Sequence, residues 1–294
     1  MLDSRYRLVV GIATRGRASI LLEMLAQLEQ QTRLPDRIIV CGSEPSDIAG
    51  VITQFPKVET LLSPPGLCRQ RNMILDAAAD ADLVMFFDDD FFADPAYLAA
   101  IETHMMGHPA TMVASGLVLA DGINGPGLTA ADAHLILKTS QGLAAGTRPM
   151  FSGYGCNMAI RIKPLQTHGI RFDERLQLYC WQEDVDVSRR LSAFGNIVQL
   201  EGAQGVHLGS KRGRSPGVKL GYSQIANPLY LAGKGLGYPW HVALTLIFRN
   251  MAKNVLRAFW PESYVDRRGR LRGNVIALWH LLRGQMAPEK VLKV

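Results

Sequence analysis

The run Leu83 to Phe87 (LVMFF) leads without a break into Asp88, Asp89 and Asp90. Consecutive apolar residues that end on an acid triplet read as a buried strand, because a strand covered on both faces is apolar at every position. In an open α/β sheet the carboxyl end of such a strand opens on the crevice where ligands bind. Three adjacent carboxylates there repel one another and need a positive partner. A divalent cation that also grips a diphosphate meets that need, since Mg2+ or Mn2+ takes a few carboxylate oxygens together with substrate phosphates. The plainer alternative is an acidic turn after a strand, and it gives no reason for so apolar an approach.

The pattern around this run repeats. Leu8 to Ala13 (LVVGIA) and Arg37 to Cys41 (RIIVC) read as further buried strands. Leu21, Met24, Leu25 and Leu28 recur at helical spacing, which predicts a helix over Ala18 to Gln31. Leu67 to Ala79 reads as helix, and Pro95 sits where the first turn of another begins. Tyr154 to Ile162 reads as a strand, and Asp184 to Phe194 as a helix with Val187, Leu191 and Phe194 on one side. Strands alternating with helices predict an α/β fold, a mostly parallel central sheet with helices on both faces. Asp121 to Pro149 is rich in Gly and Ala and reads as a connection or a loop over the site. Gly205 to Gly221 reads as flexible, and two helices follow at about 222–234 and 239–260.

Charge divides the chain. Residues 205–294 hold 15 Lys/Arg against 3 Asp/Glu, whereas residues 1–204 hold 17 against 23. An acidic N-terminal domain (1–210) with a basic, mostly helical C-terminal region (211–294) calls for a polyanionic partner. In the tail, Tyr238, Trp240, Leu244, Phe248, Met251, Leu256, Phe259 and Trp260 alternate with Arg249, Lys253 and Arg257. Val242 to Phe248 is too short to span a bilayer, but basic and aromatic residues together fit the interface of an anionic leaflet. A pair of helices packed on the main domain, with a solvated basic face, explains the same residues. Four scattered cysteines (Cys41, Cys68, Cys156, Cys180) form no C-x-x-C pair, which suits reduced thiols. Met1 to Val10 has no apolar stretch ahead of a cleavage site. The expectation is a cytoplasmic protein, peripheral to the inner face of the cell membrane.

Two phosphate motifs fail. Gly11 to Arg17 (GIATRGR) has Arg17-Ala18 where a P-loop requires Lys-Ser/Thr, and no G-x-G-x-x-G follows the first strand. Thr14, Arg15 and Arg17 nevertheless lie at a strand-to-helix turn, where N–H groups and cations meet anions. The second acidic feature is Trp181-Gln182-Glu183-Asp184, at the start of a helix. Acids there are often only dipole partners. A carboxylate beside an aromatic platform also suits a base acting on a sugar hydroxyl.

In order and spacing, these segments resemble family 2 glycosyltransferases, inverting enzymes of the GT-A fold. The matching pieces are VVGIATRGR, RQRNMIL (Arg69–Leu75), FFDDD (Phe86–Asp90), SGYGCNMAIR (Ser152–Arg161) and WQEDVDVSRRL (Trp181–Leu191), followed by His207. The resemblance covers about Tyr6 to His207. It implies that Asp88 and Asp90 are the ends of a D-x-D metal motif, with His207 completing the metal site. It implies that Asp89 faces the donor, that Arg71 lies by the nucleotide with Thr14, Arg15 and Ser43, and that Asp184 is the catalytic base with Glu183 beside it. Gly155, Asn157 and Trp181 fall on the acceptor side. The implied cofactors are Mn2+ or Mg2+ and a UDP- or GDP-sugar. The implied acceptor is a glycan or a lipid-linked hydroxyl in surface polysaccharide synthesis, and nucleic acid is not an expected partner. One departure stands out: Cys41-Gly42-Ser43-Glu44 stands where the family usually places an acid that reads the base; Ser43, Glu44 or Asp47 could substitute, and the identity of the nucleotide stays open.

Two other classes compete. A nucleotidyltransferase making sugar nucleotides also uses carboxylates and metal, but needs a G-x-G-T-R-type loop that is absent. A nucleic-acid-binding protein would use the basic tail, but leaves both acid clusters without a role.

Overall fold

The computed structural model of the chain describes residues 5–140, 146–211 and 216–294. The elements run β1 (Leu8–Ala13), α1 (Ala18–Leu28), β2 (Arg37–Gly42), α2 (Val51–Gln54), β3 (Glu59–Leu62), α3 (Leu67–Ala77), β4 (Leu83–Asp88), β5 (Phe91–Ala93), α4 (Tyr97–Gly107) and β6 (Thr111–Asp121). They continue as α5 (Ala130–Thr139), β7 (Thr147–Pro149), β8 (Asn157–Arg161), α6 (Ile162–Thr167), α7 (Glu183–Leu191), β9 (Asn196–His207), α8 (Gly217–Lys234), α9 (Trp240–Phe259) and α10 (Arg267–Leu282).

One sheet carries the order β3-β2-β1-β4-β8-β6-β9-β5, with β7 paired to β9. The first four strands are parallel, β8 runs against β4 and β6, and β9 rejoins the direction of β6. Most described strands therefore share one direction, as the sequence predicts. Side chains alternate between two cores. Leu8, Val10 and Ile12 pack with Leu21, Met24, Leu25 and Leu28 of α1 on one face, while Val9 packs with Cys68, Ile74 and Leu75 of α3 on the other. That alternation is the period of two that a strand imposes.

Several boundaries differ from the sequence reading. Pro95 precedes the first turn of α4, whose N-cap is Ala96. The strand expected from Tyr154 starts at Asn157, and Phe194 lies beyond α7, stacked on His168 with ring centroids 3.8 Å apart. Within Asp121 to Pro149 the chain forms α5, capped by Thr129 and Asp132, and residues 141–145 lie outside the described part. The stretch expected to be flexible from Gly205 continues β9 through His207, and α8 begins at Gly217; residues 212–215 are outside the described part.

The C-terminal region has a third long helix, α10, that apolar periodicity does not reveal. Its contact with α8 is made through small residues. A Cβ on Gly273 would lie 2.0 Å from the Val218 carbonyl oxygen, and one on Gly221 2.0 Å from that of Arg270. Backbones this close need no apolar stripe. The region also shares a core with the sheet: Leu231, Ala232, Tyr238 and Ala243 pack with Val187, Leu191 and Phe172. Lys234 reaches Asp173 at 2.8 Å and Asp186 at 2.6 Å. Among the described residues no helix is long and apolar enough to cross a membrane.

Candidate active site

Three strand ends meet at one point. β4 ends in Asp88, and the chain turns through Asp89 and Asp90 into β5. β5 pairs with β9 so that Phe91 is opposite His207, and β6 pairs with β9 so that Asp121 is also opposite His207. Register alone thus brings His207 between the acid turn and Asp121. His207 Nε2 lies 3.3 Å from Asp90 Oδ1 and 3.9 Å from Asp88 Oδ2, and Nδ1 lies 2.9 Å from Asp121 Oδ1.

Asp89 and Asp90 are turned inward. Asp89 accepts from the Thr14 hydroxyl at 2.7 Å and faces Arg17 at 3.2 Å. Asp90 Oδ2 accepts from Ser210 N at 2.7 Å and from Arg17 at 3.3 Å. Burial raises Asp89, against the pull of Arg17, to about 7. Burial would raise Asp90 too, but His207 and Arg17 outweigh it and hold it at about 2. His207 is desolvated, which opposes its charge, yet its bonds to Asp121 and Asp90 lift it to about 10.

The second acid pair opens α7. The chain approaches through Leu178, Cys180 and Gln182, all at positive φ (62°, 50° and 78°). Non-glycine residues there carry strain that the surroundings must hold. Asn227 of α8 donates to the Trp181 carbonyl at 2.8 Å, and Gln182 bonds Tyr238 at 3.1 Å. Asp184 Oδ2 accepts the Gly155 N–H at 2.9 Å and Oδ1 that of Val185 at 2.8 Å. Burial raises its pKa, as it does that of Asp88. Burial, then the charge of Asp184, pushes Glu183 well above the carboxylate range.

Arg71, on α3, joins the two halves. Its guanidinium donates to Glu183 at 2.9 Å, to the Gly155 carbonyl at 2.7 Å and to Asp88 at 3.3 Å, between the rings of Phe86 and Phe172. It is only 2% exposed. A cavity of about 400 Å³ lies over the cluster, and its lining includes Thr14, Arg15, Arg17, Asp88, His207, Tyr154, Gly155, Trp181, Glu183, Asp184 and Leu246.

Four expected positions do not line it, and one is Asp90, which is 1% exposed and turned to Ser210 and Arg17. Asn157 is fully buried and donates to the Gly116 carbonyl at 3.1 Å, so it supports the strands rather than the acceptor side. Asp89 is fully buried on Thr14 and Arg17, so it orders the first turn instead of facing a donor. Ser43 is half-buried outside the cavity, in the turn that follows β2. Asp47, another of the three candidates for the base-reading acid, accepts from the N–H groups of Gly16, Ser43 and Glu44.

Asp88, Asp90 and His207 place one donor atom each within 4.8 Å of one another. Asp90 Oδ1 is buried with no well-aligned hydrogen bond. Two carboxylates and an imidazole suit Mn2+ or Mg2+, so the residues fit a divalent cation.

Arg17, read from the sequence as a cation of the first turn, reaches Asp89 and Asp90, and Asp121 and Tyr154, absent from the sequence-derived site, complete the cluster. Asp121 had a signal: Leu117 to Asp121 (LVLAD) is a second apolar run ending on an acid.

Residues 9–169, more than half of the chain, match glycosyl transferase family 2. The chain belongs to this family. Among solved structures, GalNAc-T7 with UDP, GalNAc and Mn2+ aligns at TM-score 0.60 and 12% identity over 99% of this chain and 56% of that one. TarS 1-349 of S. aureus aligns at 0.56 and 17%, over 97% and 82%. The mannosyltransferase PcManGT from Pyrobaculum calidifontis, in complex with GDP-Man and Mn2+, aligns at 0.52 and 15%, over 99% and 86%. The chain spans about half the length of the GalNAc-T7 chain. At these identities the likeness is one of fold. No curated protein matches the chain.

Proposed function

We propose that the chain is an inverting glycosyltransferase that moves a sugar from a UDP- or GDP-sugar to a hydroxyl acceptor. The observation that carries this reading is that Asp88, His207 and Asp184 line one and the same cavity. Donor and acceptor can meet there only between a cation site and a base.

Asp184, fixed by two backbone N–H groups, takes the proton of the acceptor hydroxyl. The oxygen bonds the anomeric carbon as the bond to the diphosphate breaks on the opposite face, and the diphosphate leaves with the electron pair. Asp88, Asp90 and His207 would hold Mn2+ or Mg2+, which supplies Lewis-acid neutralisation of the departing charge. Arg15 and Arg17 add positive charge from the first turn, and Thr14 keeps that turn on Asp89. Arg71 keeps Asp88 and Glu183 in place. Trp181 offers a face to the acceptor sugar. The GalNAc-T7 and PcManGT structures, with UDP and GDP-Man beside Mn2+, support the choice of donors. A nucleotide-sugar panel with Mn2+ tests the reading: one donor should be hydrolysed slowly without acceptor, and no response to any would oppose it.

The acceptor we propose is lipid-linked, at a membrane surface to which the protein binds from one side, in the synthesis of a surface polysaccharide. On α9, Trp240, Leu244, Phe248, Val255 and Phe259 recur four or seven residues apart and all are exposed, Phe248 at 74%. Arg249, Lys253 and Arg257 form a neighbouring row. Such a face fits an anionic leaflet, and Leu246 of the same helix lines the cavity. Flotation with anionic vesicles should carry the protein up, and Phe248→Ser/Phe259→Ser should leave it at the bottom. Wild-type protein that stays down would rule out the membrane part alone.

A further inference from the structure

His207 has two carboxylates on its Nε2 side already. A third, Asp121, on its Nδ1 side adds negative charge to an acid-rich cluster, so neutralising the ring does not explain it. Its setting is directional. Asp121 Oδ1 accepts from the Ile123 N–H at 3.0 Å and faces His207 Nδ1 at 2.9 Å. Asp121 Oδ2 accepts the Tyr154 hydroxyl at 2.6 Å. Tyr154 is itself anchored by its N–H on Ser115 at 2.8 Å, and its ring meets that of His207 edge-on at 6.3 Å. An ionised carboxylate only accepts, so Nδ1 keeps its proton and Nε2 is the nitrogen left to face a cation.

We infer that Asp121 and Tyr154 are positioning residues that fix His207 in the rotation and tautomer a divalent cation requires. This rests on the metal-dependent reading above. A histidine that ligates a metal generally gives its other N–H to a carboxylate or carbonyl, and losing that partner weakens the metal. The hydrogen-bonded chain Tyr154–Asp121–His207 supplies such a partner. Because Tyr154 also lines the cavity, the same chain runs from the space for substrate to the ligand set.

The test is Mn2+ binding to the full chain without donor, followed by electron paramagnetic resonance of free Mn2+. Thermal unfolding of the metal-free proteins runs alongside. Asp121→Asn offers Nδ1 an amide that can donate, which frees the ring to put its proton on Nε2. Mn2+ affinity should fall about 10–100-fold. Tyr154→Phe should lose less in the same direction, and Asp121→Glu, which keeps the acceptor, should recover part of the loss. His207→Ala sets the floor. Wild-type affinity in both Asp121→Asn and Tyr154→Phe, with His207→Ala weakened, would overturn the positioning role and leave the metal site standing. Wild-type affinity in His207→Ala and Asp90→Asn as well would overturn the metal reading itself. If Asp121→Asn melts early, Tyr154→Phe decides the matter, since its fold keeps the carboxylate.

Discussion

The side-chain amide of Asn227 donates to the backbone carbonyl of Trp181 at 2.8 Å, so a helix of the basic C-terminal region holds the loop that presents the proposed base. The loop needs such holding, with three residues of left-handed backbone between Leu178 and Gln182. A C-terminal helix thus contacts the backbone of the loop that leads into the proposed base.

Asn227→Ala should reduce kcat roughly tenfold, the equivalent of about 1.4 kcal/mol, while the donor KM stays near its wild-type value. Steady-state kinetics with varied donor measures both. An unchanged kcat would mean that the loop keeps its shape unaided.

Asp184→Asn keeps the size of the side chain and removes the base. Turnover should fall by about 10²–10⁴, and calorimetric binding of the nucleotide diphosphate should be retained. Loss of nucleotide binding in step with turnover would instead make Asp184 part of the donor site.

Burial raises the pKa of Asp184. The base works only when deprotonated, so kcat/KM should be low in acid and rise with pH through that raised value. The acid limb should lie above the usual aspartate value and vanish in Asp184→Asn. A flat profile from pH 4 to 7 would contradict the assignment.

The fold was legible where burial writes itself into a run of residues. LVVGIA, RIIVC and LVMFF are strands because both faces of the sheet are covered there. Asp88 and Asp184 stood out as carboxylates at element ends, whereas His207 entered through the resemblance to the family. What the sequence hid depends on partners far along the chain. Asp121 joins the cluster only through the register of β6 on β9, and Asn157 leaves the cavity because its strand turns it toward Gly116. α10 escaped because glycines, not an apolar stripe, make its contact with α8.

Arg71 carries the most structural weight per atom. Its removal leaves the Glu183 carboxyl and the Gly155 carbonyl without their donor, which costs about 1–3 kcal/mol for each buried group left unpaired. Arg71→Met should lower the denaturation midpoint accordingly in urea. Arg71→Lys should not rescue it, since one ammonium cannot span three acceptors in a plane. Stability equal to wild type would remove Arg71 from this role.

The account turns on whether Asp88, Asp90 and His207 share a cation with a nucleotide diphosphate in the cavity that Asp184 also lines. A crystal structure of the protein with Mn2+ and UDP or GDP measures this directly. The account predicts Mn2+ between those three side chains and the diphosphate, with Asp184 facing open space for an acceptor. Mn2+ and nucleotide bound elsewhere, with the three side chains turned from both, would contradict it.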